Sequence, residues 1–160
     1  IKAFDELSLP NSELIFVGPI DEEMDFIIKK LSKKKNIKFL GKKDQNKLKY
    51  YYNESDLFIL NSIEDGFGMV ISQAMACGLP IISTENTGGS EIIDNNINGY
   101  IIPVKNNEIL KEKIKELYQN RKKLKRMGLN AYKKSLSDLS WENYGNKIFN
   151  AYESLYRNKI

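Results

Sequence analysis

The chain has 160 residues, 41% of them hydrophobic, and a formal net charge of +4 at pH 7. This length is typical of one domain with a substantial core. There is no histidine and one cysteine, Cys77, so we expect no metal centre, no internal disulfide and no active site built on a histidine base. The sequence contains no apolar run of membrane-spanning length and no signal-peptide pattern, which predicts a cytoplasmic protein.

Basic residues are unevenly distributed along the chain. No lysine or arginine lies between Lys49 and Lys105, whereas that interval contains seven carboxylates, at Glu54, Asp56, Glu64, Asp65, Glu85, Glu91 and Asp94. We therefore expect an acidic site with basic flanks. The lysine-rich segments 29–43 and 121–134 suit the outer, solvated faces of helices, so we expect no nucleic-acid partner.

Short apolar runs alternate with amphipathic segments. The runs predict strands at 14–18, 37–41, 56–60, 80–83 and 99–103. Amphipathic spacing predicts helices at 1–7, from Asp21 through Met24, Ile27, Ile28 and Leu31, from Asp44 through Tyr52, at 69–77, and from Glu108 onward with breaks near Asn120 and 137–140. This alternation predicts an α/β fold with a Rossmann-like, doubly wound parallel sheet.

Both ends of the chain indicate a larger protein. Residues 1–7 have helical spacing but no preceding cap, so we expect the 160 residues to be one domain of a longer chain. The last helix, 141–157, carries Trp141, Tyr144, Phe149, Tyr152 and Tyr156. We expect that one domain does not bury all of these rings and that this helix contacts a second domain.

The segment 61–93 contains the strongest indication of a ligand site. Asp65-Gly66-Phe67-Gly68 separates the third strand from a helix, and α/β proteins bind ligands at the carboxyl ends of their strands. The glycines allow a ligand to approach the backbone, and the amides of residues 68–70, Gly68, Met69 and Val70, suit anionic or hydroxyl oxygens.

Two side chains extend this candidate site. Asp65 is expected to project into the crevice, and Gln73, eight residues later, lies on the same side as the helix start. Such a pair can hold the vicinal hydroxyls of a sugar or a ribose. A simple tight turn explains the glycines equally well, with Met69, Ile71 and Met75 in the core.

A second glycine turn, Thr87-Gly88-Gly89-Ser90-Glu91, follows the fourth strand. Thr87 or Ser90 has the side chain required to cap a short helix at 91–93. Capping accounts for this turn as well as a ligand role does.

Several motifs in this order resemble one family. They are LFILNS at 57–62, DGFG at 65–68, QAMACGLPII at 73–82 and TGGSEII at 87–93, with further similarity at 39–41, 98–103 and 139–142. Together they resemble the carboxyl-terminal domain of retaining GT-B glycosyltransferases of family four. The resemblance covers nearly the whole chain.

That resemblance implies a nucleotide diphosphate sugar donor, linked to UDP or GDP, bound in a cleft between two Rossmann-like domains, and no cofactor. Asp65 matches the first acidic residue of the family motif, a glutamate that contacts the donor sugar, and is the catalytic candidate. Gly66, Phe67, Gly68 and Met69 match the loop that faces the sugar hydroxyls and phosphate. Gln73 matches the glutamate that holds the ribose, and Gly41 with Lys42 matches the loop beside the base.

The sequence departs from the family at both acidic positions. Asp65 is one methylene shorter than glutamate, which the adjacent Glu64 can compensate. Gln73 is neutral, so its hydrogen bonds are weaker than those of a carboxylate. We interpret this as a working variant with altered donor preference. The arginine and lysine that grip the diphosphate in the family belong to a strand that the resemblance places before Ile1.

The implied activity is transfer of a sugar to a hydroxyl acceptor with retention, in the synthesis of polysaccharide, lipopolysaccharide or another glycan. An amino-terminal domain would supply the acceptor groups, so the 160 residues alone are expected to be inactive. In a membrane-associated pathway the lysine patches suit the anionic inner face of the membrane. The alternatives are a regulatory module that binds nucleotide or sugar and a GT-B-shaped sugar-nucleotide epimerase.

Overall fold

A computed structural model of the chain describes residues 1–24, 26, 28 and 36–157. Its strands are β1 (Leu14–Phe16), β2 (Ile37–Phe39), β3 (Phe58–Leu60), β4 (Ile81–Thr84) and β5 (Gly99–Ile102). Its helices are α1 (Lys2–Leu7), α2 (Gln45–Asn53), α3 (Met69–Ala76), α4 (Gly89–Ile92), α5 (Asn107–Gln119), α6 (Arg121–Asp138) and α7 (Trp141–Arg157), with a 3-10 helix at Glu22–Met24.

All strand pairs of the described residues are parallel, and the predicted α/β class is confirmed. β1 pairs with β2, and β3, β4 and β5 lie side by side in that order. β1 and β2 are shorter than their apolar runs, which end at the positive-φ residues Gly18 and Gly41. Gly41, for example, has a φ of 66°, which ends the run that includes β2.

The arrangement differs from the prediction in one respect. The described strands form two hydrogen-bonded sets, β2–β1 and β3–β4–β5, where one continuous sheet was expected. A doubly wound sheet has the strand order 3-2-1-4-5-6, in which the first strand is central. The two sets have the order of its outer halves, 3-2 and 4-5-6, so each set ends at the position that adjoins the central strand.

The core lies on both faces of the three-stranded sheet, as doubly wound topology requires. Alternate residues of β4 serve opposite faces: Ile82 packs in a cluster with α5, and Ile81 packs in a second cluster with α3. The first cluster contains Tyr100, Ile102, Leu110, Ile114, Leu117, Leu124 and Met127, and the second contains Ile71, Ala74, Met75, Leu79 and Ala131. All four residues of β4 are buried.

Helix boundaries follow local chemistry. Gly78, with a φ of 77°, follows the end of α3, as predicted from its position before Leu79 and Pro80. Asn120 separates α5 from α6, and its side chain accepts a hydrogen bond from the Lys123 amide at 2.9 Å. The predicted break at 137–140 is also confirmed, since α6 ends at Asp138 and α7 begins at Trp141.

The helix predicted from Asp21 is described only in part. The Asp21 carboxylate accepts a hydrogen bond from the Glu23 amide at 3.1 Å, which is the predicted capping role. The first turn is a 3-10 helix, and the predicted core positions Ile27 and Leu31 lie outside the described residues.

A close approach between α6 and the turn after α3 requires glycine at 128. A Cβ at Gly128 would lie 2.2 Å from the carbonyl oxygen of Gly78, whereas a Cβ at Gly145 in α7 would meet no atom within 4 Å. Gly128→Ala is therefore expected to lower the free energy of unfolding by about 1–3 kcal/mol through overpacking. Gly145→Ala is expected to raise it by about 0.5–1 kcal/mol through helix propensity. Urea unfolding measures both, and equal effects would contradict this packing.

Candidate functional site

Two loops meet at the carboxyl ends of neighbouring strands. Residues 61–68 follow β3 and residues 85–88 follow β4, and the two strands pair with Leu60 opposite Ser83. The Asp65 amide donates to the carbonyl of Asn86 at 3.1 Å, and the Gly88 amide donates to the carbonyl of Gly66 at 2.9 Å. The two glycine turns that the sequence presented separately thus form one joined structure.

Gly68 shapes the start of α3. It occupies the N-cap position with a φ of 64°, a left-handed conformation that favours glycine. It has no side chain to cap the first turn, and no side-chain cap is present at this end of α3. The Ile71 amide donates to the Gly68 carbonyl at 2.8 Å, whereas the Met69 and Val70 amides have no acceptor among the described residues, as the prediction for these two requires.

The rim of this loop is exposed. Phe67 and Met69 are each 50% exposed, while Gly68 is buried against Leu60 and Ile71. The expectation that Met69 belongs to the core is wrong, because the first residue of α3 faces away from the sheet. Ile71 and Met75 are fully buried, as predicted.

Glu64 is exposed and Asp65 is half-buried, and neither carboxylate contacts a basic group in the described part of the chain. Other carboxylates of the acidic interval are neutralised from α6: Asp56 pairs with Arg121, and Asp94 pairs with Lys134 at 2.6 Å. Two of the seven carboxylates are therefore neutralised, and Glu64 and Asp65 are among the five that have no basic partner in the described residues.

Gln73 has a partner that the sequence did not predict. The Tyr52 hydroxyl of α2 lies 3.3 Å from Oε1 of Gln73 and donates to it. Tyr52 is half-buried with its ring edge-on to Phe58, and burial raises the pKa of its hydroxyl, a group that is already a donor at neutral pH. This hydrogen bond orients the half-buried Gln73 side chain. The separation of 21 residues gave no sequence signal for this contact.

Gly41 and Lys42 lie after β2, in the other sheet. The Gly41 carbonyl accepts from the Gly18 amide at 3.1 Å, and Lys42 is exposed. No hydrogen bond of the described residues joins them to residues 64–73.

A cavity of about 320 Å³ lies beside the ends of β1 and β2. Its walls include Ile1, Phe16, Gly18, Ile20 and Phe39. None of residues 64–73 lines it, so the exposed rim of the joined loops is a separate surface.

Hydroxyl groups underlie the joined loops. Thr87 is 4% exposed, and its Oγ1 donates to the Thr84 carbonyl at 2.9 Å and accepts from the Gly89 amide at 3.2 Å. Ser83 Oγ lies 2.7 Å from the same oxygen. Ser90 donates instead to the carbonyl of Thr87, so of the two predicted capping residues only Thr87 accepts from an amide of the α4 turn.

Comparison with known proteins identifies the family. Residues 1–134 match the glycosyl transferases group 1 family. The chain belongs to this family. The predicted resemblance to a GT-B glycosyltransferase domain is thereby confirmed.

Relatives and solved structures agree with this assignment. The chain is 32% identical over 146 residues to an uncharacterised glycosyltransferase of Methanocaldococcus jannaschii, covering 91% of this chain and 41% of the relative. It is 35% identical over 131 residues to a probable sucrose-phosphate synthase of Thermosipho melanesiensis, covering 79% and 30%. The chain therefore spans less than half the length of these relatives.

Two solved structures share the fold. A sucrose-phosphate synthase from Thermosynechococcus elongatus superposes with a TM-score of 0.82 at 20% identity, over 98% of this chain and 42% of that one. Anabaena HepE in complex with UDP-glucose superposes with a TM-score of 0.81 at 22% identity, over 96% and 43%.

The described part of this glycosyltransferase chain offers little support for a nucleophilic cysteine, a metal site or a membrane span. Cys77 is half-buried at the end of α3, and burial raises the pKa of its thiol, which disfavours the nucleophilic thiolate. Among the described residues no three side chains of the metal-binding types cluster together. No helix within that part of the chain has the length and hydrophobicity needed to cross a membrane.

The left-handed backbone at Gly68 generates a test of the loop geometry. A Cβ at Gly68 would lie 3.2 Å from Ile71 Cδ1 and adopt an unfavourable φ, whereas a Cβ at Gly66 would meet no atom within 4 Å. Gly68→Ala is expected to lower the free energy of unfolding by about 1–2 kcal/mol. Gly66→Ala, measured by the same denaturant titration, is expected to change it by less than about 0.5 kcal/mol. A harmless Gly68→Ala would show that the loop adopts another conformation.

Proposed function

We propose that this chain is the donor-binding, carboxyl-terminal domain of a retaining GT-B glycosyltransferase. The intact protein would transfer a sugar from a nucleoside diphosphate sugar to a hydroxyl acceptor in glycan synthesis. The observation that supports this most is the joined loop structure, which presents uncapped α3 amides beside two unpaired carboxylates. HepE, which shares the fold, was solved with UDP-glucose.

The proposed roles follow the chemistry of each group. Asp65, with Glu64 beside it, accepts hydrogen bonds from the hydroxyls of the donor sugar. The amides of residues 66–70 face the sugar and phosphate oxygens, where the positive end of α3 favours negative charge. Gln73 binds the ribose, and Gly41 with Lys42 lies beside the base.

Retention implies that the acceptor hydroxyl attacks from the face that the diphosphate leaves. The transition state resembles an oxocarbenium ion, and negative charge develops on the departing diphosphate. Donors that already point at that charge stabilise it without reorganisation. In this proposal the domain positions the donor and stabilises the leaving group, and the acceptor is bound elsewhere in the intact protein.

The described part of the donor surface has few cations for a diphosphate, since no lysine or arginine lies between Lys49 and Lys105. We propose that a strand preceding Ile1 supplies them. The split of the strands into β2–β1 and β3–β4–β5 supports this, because the two sets correspond to strands 3-2 and 4-5-6 of a doubly wound sheet. The central strand of such a sheet adjoins strand 4, here β3, so its carboxyl end would lie beside the loop that follows β3.

We further propose that α7 contacts the amino-terminal domain. Its apolar side chains form one stripe, and none is buried: Trp141 is 79% exposed and Tyr152 is 70% exposed. The stripe continues through Tyr144, Ile148, Phe149, Leu155 and Tyr156. This chain covers 41% of the first relative. We assign the contact with the α7 stripe to the part of such a protein that lies outside the matched region.

Nucleotide binding tests the donor-domain proposal. Gln73→Ala is expected to weaken the binding of UDP and of UDP-glucose by about five-fold each, because both ligands carry the ribose. Asp65→Ala is expected to weaken the binding of UDP-glucose and to leave the binding of UDP unchanged, because Asp65 is proposed to contact the sugar. Gln73→Glu is expected to tighten both, by about five-fold, because a carboxylate accepts stronger hydrogen bonds. Calorimetric titration of the 160-residue chain, and of the chain extended by its preceding strand, measures these affinities.

Matched controls separate the site from general effects. Gln119→Ala and Asp138→Ala remove the same groups from exposed positions on α5 and α6, and neither is expected to alter binding. Because the base is not specified by the proposal, the GDP forms are titrated in parallel. Absence of binding to every nucleotide in both proteins would refute the donor-domain proposal.

A pair of substitutions tests the α7 proposal. Tyr152→Glu places a charge in the apolar stripe, and Asn150→Glu places the same charge on the opposite face of the helix. In the 160-residue chain both should leave the midpoint of thermal unfolding almost unchanged, since both positions are exposed. In the two-domain protein Tyr152→Glu alone should abolish hydrogen-exchange protection of α7. Retained protection would contradict the assigned contact.

A further inference from the structure

The chain leaving β3 and the chain leaving β4 are fastened together at successive points. Thr84 Oγ1 donates to the carbonyl of Ser62 at 2.6 Å, close to the strand ends. Farther out, the backbone bonds from Asp65 to Asn86 and from Gly88 to Gly66 join the loop tips. The 61–68 loop is therefore hydrogen-bonded to the chain leaving β4 at residues 62, 65 and 66.

Residue 88 must be glycine because there is no space for a side chain, and not because of its backbone conformation. Its φ is −60°, which any residue adopts, but a Cβ there would lie 2.3 Å from the carbonyl oxygen of Phe67 and 2.7 Å from its Cα. The colliding atoms are backbone, so a side chain at 88 must displace residue 67 itself. Residue 67 lies between Gly66 and the N-cap Gly68, and its displacement must move the amides at the start of α3.

Thr87 stabilises the segment that contains Gly88. Its buried hydroxyl joins the Thr84 carbonyl, Ser83 Oγ and the Gly89 amide, which orients the backbone that presents Gly88 to Phe67. Gly89 packs against the same two hydroxyls, where a Cβ would lie 3.0 Å from Ser83 Oγ and from Thr87 Oγ1. The small residues at 88 and 89 and the hydroxyls at 83 and 87 thus form one support, which we call the 83–89 clamp.

We propose that the 83–89 clamp positions the 64–68 loop for donor binding, with Thr87 and Gly88 as positioning residues that need no contact with the donor. The inference rests on the proposed function of the loop. Amides that bind a ligand must be held near their productive geometry by the surrounding structure. An exposed loop that contains two glycines has little stiffness of its own, so that support comes from the clamp.

Thr87 offers a matched pair of substitutions. Thr87→Val keeps the shape but removes the hydroxyl, and Thr87→Ser keeps the hydroxyl. Thr87→Val is expected to weaken UDP-glucose binding by about ten-fold, because buried partners are left unsatisfied and the loop loses its support. Thr87→Ser should remain within about two-fold of the unmodified chain, since its oxygen restores those bonds. Equal affinities for Thr87→Val and the unmodified chain would overturn the proposal.

Hydrogen exchange tests the clamp without any ligand. The Asp65 and Gly88 amides should exchange at least about ten-fold faster in Gly88→Ala and Thr87→Val than in the unmodified chain, with α5 unchanged. Gly145→Ala, distant from both loops, should change neither exchange at these amides nor binding. If neither the unmodified chain nor the chain extended by its preceding strand binds a nucleotide, the proposed function fails while exchange still reports on the clamp. Unchanged exchange at Asp65 and Gly88 would overturn the clamp whatever the binding result.

Discussion

Parallel pairing of β3 with β4 is the constraint on which the rest of this structure depends. It places Leu60 opposite Ser83, so the chain leaves both strands at the same edge of the sheet and at the same level. The two loops that follow must then share one space. Their contact is closer than side chains permit, which is why Gly88 lies against the backbone of Phe67.

Burial of β4 makes that pairing rigid. Ile81 and Ile82 are both fully buried, on opposite faces, and each belongs to a separate apolar cluster. The strand cannot shift register without exposing one of them or driving a polar group into a cluster. The hydroxyls of Ser83 and Thr84 at its carboxyl end are consequently held in place, and they in turn fix the two loops.

The basic and acidic groups of the chain are partly segregated by this architecture. Arg121 and Lys134 on α6 neutralise Asp56 and Asp94, which lie away from the loop tips. Glu64 and Asp65 keep their charge unpaired among the described residues. Unpaired carboxylates beside uncapped amides provide both acceptors and donors within one surface, which is what a polyhydroxylated, phosphorylated ligand requires. Gln73, on the same helix as these amides, is held by Tyr52.

The sequence by itself determined the α/β class, the breaks at Asn120 and 137–140, the left-handed Gly78 and the two glycine turns. Each of these depends on contacts within a few residues, through apolar periodicity, capping groups and backbone conformation. The motif order also indicated the family, and the match over residues 1–134 confirmed it. The roles proposed for Asp65, Gln73, Gly41 and Lys42 stay predictions.

Only the tertiary structure decided which of these features touch. The Tyr52–Gln73 hydrogen bond joins residues 21 positions apart, and the exposed position of Met69 depends on the orientation of α3 against the sheet. The division of the strands into two sets likewise depends on pairing between distant segments. Thr87 and Gly88 show the difference most clearly: their sequence suited a simple helix cap, and the close approach of Phe67, set by the β3–β4 register, joins them to the loop that follows β3.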